Sequence, residues 1–327
     1  MPDRLDVLKR WLESELEFRD YTINPASSDA SFRRYFRVVH NGENFIVMDA
    51  PPEREDSRPF VAVSRLFFDA GLNVPEVVDA DLDLGYLLLS DLGSELYLDA
   101  LNENTFERLN ADALAALAVI QTCATGDLPL YDRTLLLSEM ELFREWLVSR
   151  HLGIVVTDSQ HEMLDDVFAL LADNALAQPK VCVHRDYHSR NLMVTQQNNP
   201  GILDFQDAVL GPVTYDLVSL LRDCYIKWPQ EQVEEWALGY QQLALQSGIL
   251  HGEHDDPELF LRWFDLMGVQ RHLKAAGIFA RLNHRDGKSG YLDDIPRTLS
   301  YITDLESRHP DLATLCIFIE NEVLTSM

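Results

Sequence analysis

The sequence predicts an α+β chain of two lobes: a small β-rich lobe over residues 1–91 and a large α-helical lobe over 92–327. Three observations predict it. The chain has 327 residues, more than a single hydrophobic core usually serves, so about two domains or lobes are expected. The apolar period changes near residue 91, from short alternating runs to helical spacing. The helical part is broken only over 181–206, where "VCV", "NLMV" and "GILDF" read as short strands around polar loops. A hydrophobic content of 46% supplies ample core.

The elements follow in order. In "MPDRLDVLKRWLESELEF", Leu5, Leu8, Trp11, Leu12 and Leu16 share one helical face, with charges between them. That is an amphipathic helix rather than a signal peptide. "SFRRYFRVVH" and "NFIVMDAP" are β-rich, and Asn41-Gly42 between them is a hairpin signal. Phe60, Val63, Leu66 and Phe67 form a helical stripe, with Gly71 as its stop. "VPEVVDADLDLGYLLLSDLGSE" reads as two strands around a turn at 81–85. Beyond it, helical patterns cover about 105–125, 137–152, 158–174, 213–226, 229–247, 257–282, 293–306 and 310–322.

Composition excludes several classes. A formal net charge of −27 argues against duplex nucleic acid and anionic membrane surfaces, which need basic patches. The four cysteines are far apart with no C-x-x-C pair, so neither a structural zinc site nor a disulfide framework is expected. A reducing, cytoplasmic setting is the default. No uninterrupted apolar run is long enough to span a bilayer.

The chemistry gathers in two stretches. "VCVHRDYHSRNLMV" places His184, Asp186, His188 and Asn191 between apolar flanks. "GILDFQDAVLGPVTYDLVSLL" places Asp204 directly after an apolar run, with Asp207 and Asp216 following. Two acidic loops flanked by strands suit a magnesium–nucleotide site, because a hard cation takes oxygen ligands and substrate phosphates. Asp186 is then the base that orients an acceptor hydroxyl, Asn191 a metal ligand and Asp204 the main metal ligand. His184 reads as a support for its loop. Asp216 reads as a tie between its helix and that loop, and Asp207 as a neighbour of the site or a surface residue. An alternating His184–Asp186–His188 metal triad is the rival reading. It leaves Asn191 and "LDFQD" unexplained.

The two stretches, in this order after a β-rich lobe, resemble the aminoglycoside phosphotransferase family, whose members share the protein-kinase-like fold and phosphorylate small molecules. The resemblance covers nearly the whole chain. It implies ATP and Mg2+ as cofactors. It sets His188 where protein kinases carry a lysine near the γ-phosphate, so His188 orients either phosphate or loop. The stretches "SSDASFRRYFRV", "VMDAPPE", "LLLSDLGSELYLDAL" and "MGVQRHLKAAGIFARLNHRDGKSGYL" resemble the bacterial anomeric sugar kinases of cell-wall recycling. That likeness implies N-acetylmuramate and N-acetylglucosamine as acceptors. It implies the C1 hydroxyl as the site of transfer, and a sugar-1-phosphate uridylyltransferase as the next user of the product.

One departure is serious. The strand that carries a phosphate-binding lysine in kinases here reads "FIVMDAP", with Met48 in that place, and no glycine-rich loop precedes it. Ser28 and Ser31 are small enough for backbone to approach phosphate, and Arg33 or Arg34 is the candidate cation. Strand alternation allows only one of the two to point inward. Main-chain groups of Ser90, Asp91 and Leu92 are expected at the adenine. For the acceptor, the basic run Gln270, Arg271, His272 and Lys274 is the candidate pocket. The rival functions are an aminoglycoside or other small-alcohol kinase, and a nucleotide-binding pseudokinase acting as an interaction module.

Overall fold

A computed structural model describes residues 3–28 and 32–327. The chain is α+β and divides into two compact units. The first comprises 1–95 and 193–207, the second 96–192 and 208–327. No helix among the described residues is long and apolar enough to cross a membrane.

The first unit is built on a five-stranded antiparallel sheet. Its strands are β1 (Thr22–Ser28), β2 (Arg34–His40), β3 (Glu43–Asp49), β4 (Val77–Asp81) and β5 (Tyr86–Ser90), in the order β1-β2-β3-β5-β4. Helix α1 (Arg4–Ser14) covers one face, and its start is capped by the Asp3 carboxylate, which accepts from the Leu5 N–H at 3.2 Å. Leu8, Trp11 and Leu12 of α1 pack on Phe36 and Val38 of β2, Val47 of β3 and Leu88 of β5. Side chains alternate across a strand, so Arg34 shares the α1 face with Phe36 and Val38, while Arg37 takes the other. Asp49 lies directly opposite Arg34 in the β2–β3 register. It is wholly buried, and it accepts from Arg34 at 2.5 Å and from Arg4 of α1 at 2.6 Å. Helix α2 (Arg58–Asp69) turns out at Gly71, as its stripe predicts, and Phe60 and Phe67 pack on Phe205.

β1 lacks the alternation that marks β2 and β3, because Pro25 sits inside it. The register shifts between Pro25 and Ser27, and β1 is an edge strand. Proline is tolerated in just those two settings.

The second unit is organised around one long helix. In chain order come α3 (Tyr97–Ala100), α4 (Phe106–Thr122), α5 (Arg133–Leu142), α6 (Asp158–Ala177), α7 (Tyr215–Leu221), α8 (Gln230–Gln246), α9 (Pro257–Asp286), α10 (Ile295–Thr303) and α11 (Ala313–Phe318). α9 is buried on every side from Trp263 to Lys274, as expected of a helix with neighbours all round. α5 continues as a π-helical stretch over Phe143–His151. Gly277 of α9 lies against the junction, where an added Cβ would stand 2.3 Å from the Leu142 carbonyl carbon. Only glycine allows the two backbones to approach so closely. Strand β6 (Lys180–Val183) pairs antiparallel with β9 (Val209–Pro212), and the segment expected to carry the chemistry starts where β6 ends. Strands β7 (Leu192–Met193) and β8 (Gly201–Ile202) form a two-residue ladder where the chain returns to the first unit, to which β8 belongs.

Candidate active site

The loop after β6 is held by carboxylates from outside it. Asp216, at the start of α7 and wholly buried, accepts from the His184 N–H at 2.6 Å and the Arg185 N–H at 3.0 Å. The tie expected from the sequence is therefore present. Burial raises the Asp216 carboxyl against these two N–H bonds, and the nearby Asp186 charge adds to the rise, to about 7. Asp223, just past α7, accepts from the Ser189 N–H at 2.9 Å and the Tyr225 N–H at 3.0 Å. Within the loop, His188 N–H donates to the Asp186 carbonyl at 3.1 Å, and Asn191 N–H to the His188 carbonyl at 2.9 Å. The His184 ring accepts from the Asp186 N–H at 3.3 Å through Nδ1. His184 thus supports the loop from inside the core.

Asp186 is set in a positive field. Burial pushes its carboxyl upward, but Lys274, His188, Arg271 and Arg185 together outweigh that and hold it below the usual carboxylate range. It is ionised at neutral pH, the state a base needs. Asn191 donates its side-chain Nδ2 to the Asp186 carbonyl at 2.9 Å. That fixes which end of the amide faces the carbonyl and directs its oxygen elsewhere. His188 has a shielded Nδ1 with no partner among the described residues. Burial pulls its pKa down, against the pull of Asp223 and Asp186.

Arg185 adopts φ +78°, a left-handed conformation uncommon for a residue with a side chain. Its guanidinium pairs with Glu139 of α5 and lies 5.6 Å from the Tyr131 ring centroid. Glu139 also pairs with Lys274 at 3.1 Å and accepts from the Tyr131 hydroxyl. Desolvation opposes its charge, but Lys274 and Arg185 prevail and hold its carboxyl low. The strained residue is thus secured from two sides.

The basic run of α9 is expected from the sequence to meet the acceptor, but the structure gives each of its side chains protein partners. Gln270 donates to the Tyr131 hydroxyl at 3.3 Å. Arg271 Nη1 contacts Cys224 Sγ at 3.5 Å. Lys274 donates to the Tyr215 hydroxyl at 2.9 Å. His272 Nε2 donates to the Arg222 carbonyl at 2.9 Å, and its ring stacks on Tyr301 at 4.7 Å. Two of the four, Arg271 and Lys274, act on Asp186 through their charge.

His272 yields a pH prediction. Burial and the adjacent Arg271 charge depress its pKa from 6.5 to about 3. A group whose folded pKa is lowered contributes stability above its unfolded pKa and loses it as pH falls. The stability advantage of wild type over His272→Phe should therefore shrink as pH falls from about 6.5, by up to ~1.4 kcal/mol per unit. Denaturant titrations at pH 7.5, 6 and 4.5 measure this. A difference that stays constant with pH contradicts a neutral, buried His272.

In the first unit, Asp204 follows β8 with φ +63°. Its Oδ1 accepts from Gln206 Nε2 at 2.9 Å and lies 3.6 Å from an Arg33 guanidinium nitrogen. Arg33 and Arg34 are thus divided between Asp204 and Asp49. Met48, in the place of the absent lysine, is wholly buried. Ser90 uses its main-chain N–H on the Glu76 carbonyl at 3.0 Å and its hydroxyl on the Glu76 N–H at 2.9 Å. The Asp91 carboxylate accepts from Arg37 at 2.6 Å and from the Gly93 N–H at 2.9 Å. Leu92 lies next to Gly201. Ser28 ends β1, and Ser31 lies outside the described residues. Asp207 closes the segment.

Sequence reasoning missed Glu139, Arg185 and Asp223. Glu139 carries a signal, since it falls on the buried face of α5 with Leu136 and Met140. Asp223 carries none, because it reads as an ordinary residue past the end of a helix.

The model of the phosphotransferase enzyme family matches residues 22–257. An N-acetylmuramate/N-acetylglucosamine kinase of Pseudomonas putida is 50% identical over 324 residues, covering 95% of this chain and 94% of that one. A protein of the same name from Neisseria meningitidis is 44% identical, covering 94% and 92%. Among solved structures, an ethanolamine kinase of Plasmodium vivax superposes with a TM-score of 0.65 at 10% identity, covering 90% of this chain and 88% of that one. The streptomycin–ATP ternary complex of the enzyme APH(2")-IIa gives a TM-score of 0.60 at 16% identity, covering 92% and 97%. At such identities these two likenesses show the fold, which is the protein-kinase-like one, while the family match and the near relatives show more: the chain belongs to the phosphotransferase enzyme family.

Proposed function

We propose that this protein is an ATP- and magnesium-dependent sugar kinase that phosphorylates the C1 hydroxyl of N-acetylmuramate and N-acetylglucosamine. The observation that carries this reading is an ionised Asp186 on a braced loop, in a chain whose relatives over nearly its whole length are named N-acetylmuramate/N-acetylglucosamine kinase. Asp186 takes the acceptor proton. The hemiacetal hydroxyl at C1 is more acidic than an ordinary alcohol, because the ring oxygen withdraws electron density. A carboxylate held below its usual pKa therefore suffices as a positioning base.

Asn191 and Asp204 are the proposed magnesium ligands. Both offer oxygen donors, as a hard cation requires, and the fixed amide of Asn191 suits the role. Magnesium, when bound, neutralises phosphate charge. Arg33, beside Asp204, is the proposed substitute for the absent lysine, and the main chain of Asp91 and Leu92 the proposed adenine contact. The α-1-phosphate product is of the kind a uridylyltransferase consumes in peptidoglycan recycling, and that reading places the enzyme in the cytoplasm.

The assignment of Arg33 has a contrast built in. Arg33→Ala should raise the KM for ATP or lower turnover roughly tenfold or more, as loss of a charge-assisted phosphate contact does. Arg34→Ala should leave the KM for ATP unchanged and cost about 1 kcal/mol of stability, since Arg34 is half-exposed and Asp49 keeps Arg4. Equal effects on ATP from both variants would remove Arg33 from the role.

Substrate class is tested by ATP consumption in the presence of N-acetylmuramate, N-acetylglucosamine and an aminoglycoside. Turnover with either sugar and none with the aminoglycoside is expected. Turnover with the aminoglycoside alone would overturn the sugar reading, and none with any acceptor would favour a pseudokinase.

A further inference from the structure

Resting on the sugar-kinase reading, one cation beside the catalytic loop has a use that the loop itself does not explain. Arg190 immediately precedes Asn191 and is exposed. Its guanidinium lies 4.8 Å from the Tyr225 ring centroid and 5.1 Å from that of Tyr291. Tyr291 stacks on Phe279 at 5.6 Å and 20°, and Tyr225 stands 5.5 Å from the His188 ring. All of these residues belong to the second unit. An aromatic surface therefore runs from His188, two residues past Asp186, to Arg190.

Arg190 makes no ion pair with a carboxylate among the described residues. That is notable in a chain with 54 acidic and 27 basic residues, where neighbouring Arg185 and Arg222 are both paired. Both ring centroids are within cation–π distance of the guanidinium. Its N–H groups lie in the plane, and a planar fork of donors matches a carboxylate in two parallel hydrogen bonds. The buried cations of α9 do not compete for this task, since Lys274 is bound to Tyr215 and Glu139 and Arg271 is in contact with Cys224.

We propose that Arg190, held between Tyr225 and Tyr291, binds the lactyl carboxylate of N-acetylmuramate and so sets the preference between the two amino sugars. With C1 at Asp186, the lactyl group on C3 is carried away from the reacting hydroxyl. Arg190 lies four residues along the loop from the base. N-acetylglucosamine has no carboxylate and makes no such contact.

The test compares kcat/KM for N-acetylmuramate, its methyl ester and N-acetylglucosamine in wild type, Arg190→Gln and Arg190→Lys. In Arg190→Gln the ratio of N-acetylmuramate to N-acetylglucosamine should fall roughly ten- to a hundredfold, the value of a hydrogen-bonded charge pair. Arg190→Lys keeps the charge without the fork and should fall between. Wild type should favour the acid over its ester, and Arg190→Gln should not. An unchanged ratio in an active Arg190→Gln, or equal loss on both sugars, overturns the assignment and leaves the sugar reading standing. A wild type inert with both sugars overturns the two together.

Discussion

Asp186→Asn should lower kcat on the order of 10²–10⁴-fold while leaving ATP binding nearly intact. The change preserves the size of the side chain and removes the group proposed to accept the proton. The surrounding loop has little reason to move. Its main chain is fixed by Asp216 at His184 and Arg185, and by Asp223 at Ser189. The positive field of Lys274, Arg271 and Arg185 that keeps Asp186 ionised would remain, now facing a neutral amide. Steady-state kinetics paired with calorimetric ATP binding separate the two effects. Turnover within about tenfold of wild type would remove Asp186 from the role of base. Loss of ATP binding in parallel would point to a collapsed loop instead.

Asp265→Ala should destabilise the second unit by about 3–5 kcal/mol, the usual cost of leaving a buried charge without its partner. Asp265 of α9 is wholly buried and accepts from Arg222 at 2.6 Å, His309 at 2.8 Å and Arg308 at 3.2 Å. Burial raises its carboxyl, yet His309, Arg222 and Arg308 more than offset this and hold it ionised. Arg222 is itself almost wholly buried, with its guanidinium 4.6 Å from the Phe264 ring centroid. Without Asp265 that charge has no carboxylate partner among the described residues. Arg222 adjoins Asp223, which holds Ser189 of the loop after β6, so that loop should loosen as well. Arg308→Ala is the control. Arg308 is partly exposed and also pairs with Glu234, so its loss should cost about 1 kcal/mol or less. Denaturant unfolding measures both. Similar small losses for the two variants would contradict the central place of Asp265.

How far the sequence reaches is clearest where local chemistry decides the outcome. The β2–β3 hairpin follows from alternation and Asn41-Gly42, and the α1 face from the spacing of Leu8, Trp11 and Leu12. β1 is hidden because Pro25 breaks the strand pattern, and its edge position, which tolerates proline, is set by tertiary pairing. The spacing of polar residues between β6 and β7 marks the candidate site. Of the braces on it, the Asp216 tie is legible and Glu139 leaves a trace on the buried face of α5, while Asp223, past the end of α7, leaves none. The α9 run shows a different limit. Gln270, Arg271, His272 and Lys274 look like a basic face awaiting a ligand. On a helix enclosed on every side, the same residues are buried and contact Tyr131, Cys224, Arg222 and Tyr215. Charge pattern reports what a helix carries, and burial depends on the neighbours it acquires. The choice between Arg33 and Arg34 also waits on pairing, since only the register sets Asp49 opposite Arg34.

Transfer to the anomeric hydroxyl is decided by offering N-acetylglucosamine beside its 1-O-methyl glycoside, with the product followed by phosphorus NMR before and after mild acid. An acid-labile 1-phosphate from the free sugar and no transfer to the glycoside are expected. A phosphorylated glycoside, or an acid-stable phosphate on another hydroxyl of the free sugar, would contradict it.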